Sequence, residues 1–161
     1  MMRFVFVVLA LIVFGGIAAA DTSWRLVNPN QGPGEACLEV GGEAVAYHRL
    51  DGDEPTVLRI KGPRRVKIVT RYLYTDGEPT QPLYTVTARV DGASTVVRSF
   101  ETKVKRGLGP CEGDGRVGVL RRAYVSVPSG WHDVSVTAEA SGGGAVAARL
   151  PRPITGAKAM G

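Results

Sequence analysis

The strongest constraint on the fold is a period-two alternation of apolar and polar residues that runs through most of the chain after residue 20. The alternating runs are bounded by Gly, Pro, Asp and Asn, which is typical of short β-strands joined by turns. Glycine-rich stretches at 107–118 and 142–144 would be poor helix interiors. The pattern therefore predicts an all-β domain of about eight or nine short strands. The candidate strands span residues 24–27, 44–49, 56–61, 65–73, 83–90, 94–103, 119–127, 131–139 and 145–150.

Turn signals at fairly regular spacing are typical of an antiparallel sandwich or barrel. The strand number and the unequal loops favour a single antiparallel, immunoglobulin-like β-sandwich. Three hairpins are predicted, with turns at Gly62-Pro63, at Asp91-Gly92 and at Pro128-Ser129-Gly130. Alternation also predicts which side chains face the core. These are Leu58, Ile60, Val66, Ile68, Tyr72, Val125, Val127, Val134 and Val136.

The segment 128–136 (PSGWHDVSV) carries a local resemblance to known modules. A Pro-x-Gly turn launches a strand of the form x-His-x-Val-x-Val, which resembles a hairpin of extracellular immunoglobulin-like and PEGA-type domains. The resemblance implies a sandwich hairpin of an envelope domain and carries no site residue across.

The first twenty residues have the three parts of a signal peptide. Arg3 is followed by the apolar run 4–14, which is shorter than the roughly 20 residues that a membrane-spanning helix needs. Small residues at 18–20 then suit signal peptidase. We expect residues 1–20 to be removed, 21–150 to form the domain, and 151–161 to be a flexible tail. The predicted location is periplasmic or secreted, without stable membrane insertion after cleavage; the alternative is an uncleaved anchor formed by 4–20.

The two cysteines, Cys37 and Cys111, are an even number in an exported chain, which favours one disulfide. It would close a loop of about 75 residues and contribute about 4 kcal/mol in the chain-entropy model. A zinc site with His48 and His132 has the right ligand count but lacks any short ligand spacing. No metal and no cofactor are therefore expected.

One face of the 56–73 region carries a strip of cations at every second position. Alternation places them side by side, about 5 Å apart across strands. Such a strip could hold a polyanion, or it could be an ordinary solvated face whose repulsion is offset by Glu101 or Glu139. The predicted binding residues are Arg59, Lys61, Arg65, Lys67 and Arg71, with Arg64 in the adjoining turn.

No catalytic motif stands out. His48 and His132 are the only imidazoles, and no Gly-x-Ser-x-Gly setting accompanies them. The acidic turn 51–54 lacks EF-hand spacing, and the Gly-rich loop 106–118 lacks the Gly-Lys-Ser/Thr of a P-loop. That loop is long enough to be a contact point for a partner. The aromatic residues that form either a sugar-stacking platform or core are Trp24, Tyr72, Tyr84, Tyr124 and Trp131.

The net charge of the full chain is +5, and loss of Arg3 with the signal lowers it by one. This mild excess lacks the clustered motif of a nucleic-acid binder. The sequence predicts an exported, non-catalytic binding or structural module of the cell envelope. The alternative is a polyanion- or glycan-binding protein that uses the basic strand face, and a secreted hydrolase ranks below both. The expected partner is an envelope protein or an anionic glycan or lipid head group, with no nucleic acid.

Overall fold

The structure, a computed structural model, describes residues 25–26, 33–78 and 81–150. The described residues form antiparallel strands and no helix, so the predicted all-β class is confirmed. The predicted signal peptide 1–20 and tail 151–161 lie outside the described residues. The ten strands are β1 (Arg25–Leu26), β2 (Glu35–Val40), β3 (Glu43–Leu50), β4 (Thr56–Tyr74), β5 (Leu83–Val90), β6 (Ala93–Glu101), β7 (Gly109–Pro110), β8 (Arg116–Val117), β9 (Arg121–Ala140) and β10 (Ala145–Arg149).

These strands belong to one open hydrogen-bonded sheet with the order β6-β5-β9-β4-β10-β3-β2-β7. The short strands β1 and β8 both pair with β4 as well. The immunoglobulin-like arrangement in two sheets stays a prediction. The centre of the sheet is the β4–β9 pair, to which the other strands attach directly or through their neighbours.

Two of the three predicted hairpins are wrong, because β4 and β9 are continuous strands of 19 and 20 residues. Gly62 and Gly130 instead face each other in the β4–β9 ladder, and the register shifts between Gly62 and Arg64. A Cβ on Gly62 would lie 1.7 Å from the carbonyl oxygen of Pro128, so only glycine fits there. Proline lacks an N–H and is tolerated at a bulge. The Gly-Pro signals therefore mark paired irregularities in two long strands rather than turns.

The third predicted hairpin is confirmed. Asp91 and Gly92 connect β5 to β6, and Val90 pairs with Ala93 across the turn. Both connecting residues have positive φ angles, 49° for Asp91 and 83° for Gly92. That combination is the one a two-residue type I′ turn requires, which explains why Asp-Gly occupies it.

The main hydrophobic cluster lies against one face of the β4–β9 pair, and the predicted inward face is confirmed. The predicted core residues of both strands are all nearly inaccessible to solvent: Leu58, Ile60, Val66, Ile68, Tyr72, Val125, Val127, Val134 and Val136. Inside this cluster the hydroxyls of Thr70 and Tyr84 are 2.9 Å apart and form a hydrogen bond. The buried polar groups of this pair therefore satisfy each other.

A second, smaller cluster covers part of the opposite face of β4, which we call the outer face. It contains Leu38 of β2, Tyr47 of β3, Val117 of β8 and Ala147 of β10. The predicted disulfide is confirmed: Cys37 lies in β2, in a strand that the sequence did not predict, and is bonded to Cys111 after β7. The bridge thus ties β2 to the segment that follows its paired strand β7.

Within the described residues there is no helix of sufficient length and apolar character to cross a membrane.

Candidate functional site: a basic groove beside β4

The structure divides the predicted cation strip. Arg59, Lys61, Arg65 and Lys67 are exposed on the outer face of β4, as alternation requires. Arg71 lies on the same face but is only 7% exposed, so its inclusion in an exposed strip is wrong. The cause is the second cluster, which covers the outer face at this end of the strand.

Arg71 has partners of its own in that covered position. Its Nε donates a hydrogen bond to the Tyr47 hydroxyl at 3.2 Å, and its Nη1 donates to the carbonyl oxygen of Gly118 at 3.1 Å. A buried guanidinium is tolerated when its donors are satisfied in this way. Arg71 therefore holds β3 and the segment after β8 against β4 rather than facing solvent.

A groove of about 590 Å³ lies along β4 beyond its last paired residue with β10, where Arg149 faces Val69. It is lined by exposed cations of β4 and the inward-facing Ile60 and Val66, and by residues of β3 and of the ends of β9 and β10. We call it the basic groove. Its lining cations are Arg64, Arg65, Lys67, Arg122 and Arg149, joined by the imidazole of His48.

Among the described residues, the positive charge of the basic groove has no ion-pair partner. None of the described residues that line it is an aspartate or a glutamate. None of its five cations forms an ion pair with another residue in the described part of the chain. Neighbouring cations of one sign concentrate positive potential in a cleft, which attracts anions and raises their local concentration.

Sequence reasoning missed Arg122 and Arg149 because they are distant from β4 in the chain. Arg122 reaches the groove because β9 pairs with β4, which places it opposite Val69. Arg149 reaches the same position from the other edge, through the β10–β4 ladder. Residue 122 was already placed in a predicted strand, but the sequence carried no signal for which strand would be its neighbour.

Arg65 is held by an aromatic ring. Its guanidinium carbon lies 4.4 Å from the centroid of the Tyr124 ring, within the range of a cation–π contact. Tyr124 is the register partner of Lys67 and is itself 41% exposed. Stacking on the ring restricts the guanidinium plane while leaving its N–H edge free for a carboxylate, sulfate or phosphate.

The open face continues past the Gly62 bulge towards the start of β4. Trp131 is the register partner of Lys61 and is 45% exposed. Next to them, Nη1 of Arg59 lies 3.5 Å from Oδ1 of Asp133 in an exposed ion pair. Of the aromatic candidates, Tyr72 and Tyr84 belong to the core, Tyr124 and Trp131 are exposed, and Trp24 lies outside the described residues.

His132 links the β5–β6 turn to the irregular part of β9 and does not line either groove. Its Nδ1 lies 2.5 Å from Oδ2 of Asp91, and its Nε2 lies 2.9 Å from the carbonyl oxygen of Ser129. The hydrogen bond to Asp91 raises the pKa of His132, and the same bond lowers the pKa of Asp91. When the ring is protonated, both nitrogens donate. The arrangement connects the β5–β6 turn to the bulge of β9.

The acidic turn 51–54 is an ordinary local structure. Oδ1 of Asp51 accepts a hydrogen bond from the backbone N–H of Asp53 at 2.7 Å. This is the arrangement of an Asx-turn. In the described ranges, no group of three or more His, Cys, Asp or Glu side chains could hold a metal ion.

A second groove, of about 680 Å³, lies around the disulfide and includes part of the 106–118 loop. Its charged lining residues have both signs: Glu35, Glu112, Arg49 and Arg116. The guanidinium of Arg116 lies 5.2 Å from the centroid of the Tyr74 ring. Mixed charges make this groove a poorer anion site than the basic groove.

No family model matches the chain, and a search of curated proteins found no match to its sequence.

Proposed function

We propose that the protein is an exported, non-catalytic binding module that holds anionic material of the cell envelope in the basic groove. The single observation that carries the proposal is the convergence of Arg64, Arg65, Lys67, Arg122 and Arg149 on one groove whose described lining includes no carboxylate. Like charges placed together lower stability, so a cluster without compensation favours a role in binding.

The disulfide supports the exported location. Cys37 and Cys111 are bonded to each other, and disulfides persist in oxidising compartments such as the periplasm or the extracellular space. The signal-peptide pattern in residues 1–20 agrees with that location. In such a compartment the abundant anions are lipid head groups and acidic polysaccharides, which present phosphate, sulfate or carboxylate to the guanidinium groups.

A non-catalytic role fits the contacts of the imidazole best placed for proton transfer. His132 lies between a carboxylate and a backbone carbonyl, and both its nitrogens are engaged. Those contacts suit a structural link between the β5–β6 turn and β9. His48 lines the basic groove, where a neutral or charged imidazole adds a further hydrogen-bond donor for an anion.

The test is binding of long-chain inorganic polyphosphate to the full mature chain. The double variant Arg65→Glu/Lys67→Glu reverses two groove charges, and we expect its Kd to rise at least about tenfold, equivalent to about 1.4 kcal/mol. The matched control is Arg98→Glu/Lys105→Glu, which changes the net charge equally at exposed positions outside the groove lining.

The control should change the affinity much less than the groove variant. Equal losses in the two variants would mean that polyphosphate responds only to net charge. Unchanged affinity in the groove variant would mean that the groove is not the binding site. Either result contradicts the proposal.

A further inference from the structure

We infer that the ligand is a linear acidic polysaccharide, which lies in the basic groove and extends along the outer face of the β4–β9 pair onto Trp131. This inference rests on the proposed function and specifies its ligand. It starts from the two exposed aromatic rings beside the cations, which attraction of an inorganic anion does not require.

The exposed rings of Tyr124 and Trp131 each lie beside an exposed lysine. In the described part of the chain, four large hydrophobic side chains are exposed, and two of them, Trp131 and Tyr124, lie on the outer face of the β4–β9 pair. Each is the register partner of an exposed lysine, Trp131 of Lys61 and Tyr124 of Lys67. The same face therefore repeats an aromatic ring beside a cation on both sides of the bulge.

This repeat matches the chemistry of an acidic sugar chain. An aromatic ring has a negative face, which attracts the slightly positive C–H groups on the flat side of a sugar ring. A lysine or arginine beside it pairs with a carboxylate or sulfate on the same sugar. Inorganic polyphosphate and a single head group provide the charge but offer no apolar ring to stack.

The distance between the two ring–lysine pairs favours a polymer. Lys61 and Lys67 are six positions apart in β4. At a rise of about 3.3 Å per residue, they are separated by about 20 Å along the strand. A single ligand that reaches both ring–lysine pairs must be extended over this distance. A linear polysaccharide has an extended chain of this kind.

The two rings have different roles. Tyr124 already carries the Arg65 guanidinium on its ring, so it acts as a positioning residue for that cation. Trp131 lies on the other side of the Gly62 bulge, as the register partner of Lys61, and is the more exposed of the two. Direct stacking on a sugar is therefore assigned to Trp131.

Single-stranded nucleic acid uses the same combination of cations and aromatic platforms. The Cys37–Cys111 bond favours the polysaccharide, because it fits an oxidising compartment in which envelope glycans are the abundant polymers. The test below therefore includes a single-stranded nucleic acid as the competing ligand.

The test compares Trp131→Ala with the unmodified chain on three probes: an oligogalacturonate, polyphosphate and oligothymidylate. Leu83→Ala is the matched control, since Leu83 is exposed in β5, outside the β4–β9 pair. We expect Trp131→Ala to weaken oligogalacturonate binding about tenfold, as loss of one stacking platform implies, and to leave polyphosphate binding within about twofold. In a Trp24→Phe chain, oligogalacturonate should also change the fluorescence of the remaining Trp131.

The remaining outcomes distinguish failure of the polysaccharide inference from failure of the proposed groove function. If Trp131→Ala binds oligogalacturonate like the unmodified chain, the polysaccharide inference is wrong while the groove proposal stands. If oligothymidylate binds more tightly than oligogalacturonate and loses affinity in Trp131→Ala, the ligand is a nucleic acid and the inference is overturned. If the unmodified chain binds neither polyphosphate nor oligogalacturonate, the proposed function itself fails.

Discussion

Arg65 and Arg71 are the same residue type on the same face of β4, yet Arg65 is exposed and Arg71 is buried. Arg65 stacks on Tyr124 beside an open groove. Arg71 is buried and donates to Tyr47 and Gly118. The difference lies in what covers each end of β4: the second cluster covers the Arg71 end, whereas the described residues leave the Arg65 side chain exposed.

Alternation along a strand assigns a side chain to one face of the sheet, but it does not decide whether that face is exposed to solvent. A guanidinium under a covering layer must have its donors satisfied, because an unpaired buried charge is very costly. The same group at an open groove keeps its donors available for a ligand. Substitution of Arg71 should therefore lower the stability of the fold, whereas substitution of Arg65 should weaken anion binding.

Removal of the disulfide should have the largest effect, because it releases a long closed loop of the chain in the unfolded state. Cys37 and Cys111 are 74 residues apart in sequence. The chain-entropy model predicts that Cys37→Ala/Cys111→Ala lowers the free energy of unfolding by about 4 kcal/mol. Urea unfolding of both chains measures this. A loss below about 1 kcal/mol would mean that closing this loop contributes little to the stability of the fold.

Arg71→Met should come next. It removes the two hydrogen bonds and leaves the Tyr47 hydroxyl and the Gly118 carbonyl buried without that partner, at a cost of about 2–3 kcal/mol in unfolding free energy. The matched control, Arg65→Met, should change the unfolding free energy by no more than about 0.5 kcal/mol, since its side chain is exposed. In polyphosphate binding the order should reverse, with Arg65→Met the weaker binder. Equal losses of unfolding free energy in the two variants would mean that Arg71 contributes no more to stability than the exposed Arg65.

The sequence predicts features that depend on neighbouring residues and misses those that depend on pairing between distant strands. Alternation correctly assigned Ile60, Val66 and Ile68 to the core, and the cysteine pair was sufficient to predict the bridge. Gly62-Pro63 was misread because the same dipeptide suits a turn and a bulge, and local sequence does not distinguish them.

The missed parts of the site have the same cause, which is pairing between distant strands. Arg122 and Arg149 become neighbours of Lys67 only through the β9–β4 and β10–β4 ladders. Burial of Arg71 likewise depends on β2, which was not predicted as a strand, and on β8. None of these contacts follows from the period of a single strand.

The smallest effect should be a pH dependence confined to the open end, where His132 joins Asp91. The bond raises the pKa of His132, so its stabilisation is complete below the ordinary imidazole pKa and is lost as the pH rises through the raised value. The bond lowers the pKa of Asp91, so the carboxylate loses its contribution only as the pH falls through that lowered value. The unfolding free energy should therefore decrease from pH 6 towards pH 9.

Asp91→Asn isolates this contribution, because it removes the carboxylate and leaves His48 and the other titrating groups in place. The difference in unfolding free energy between the two chains should shrink as the pH rises. Chemical denaturation at a series of pH values measures it. A difference that stays constant across the series would mean that the His132–Asp91 contact carries no charge-dependent stability.

The most direct test of the division is the salt dependence of polyphosphate affinity. Each cation that pairs with the polyanion contributes about one unit to the slope of log Kd against log salt concentration. Arg65→Glu/Lys67→Glu should make that slope shallower by at least about two units, while Arg98→Glu/Lys105→Glu should leave it nearly unchanged. If both double variants show the slope of the unmodified chain, the open end of β4 does not contact the polyanion, and the account of the basic groove is contradicted.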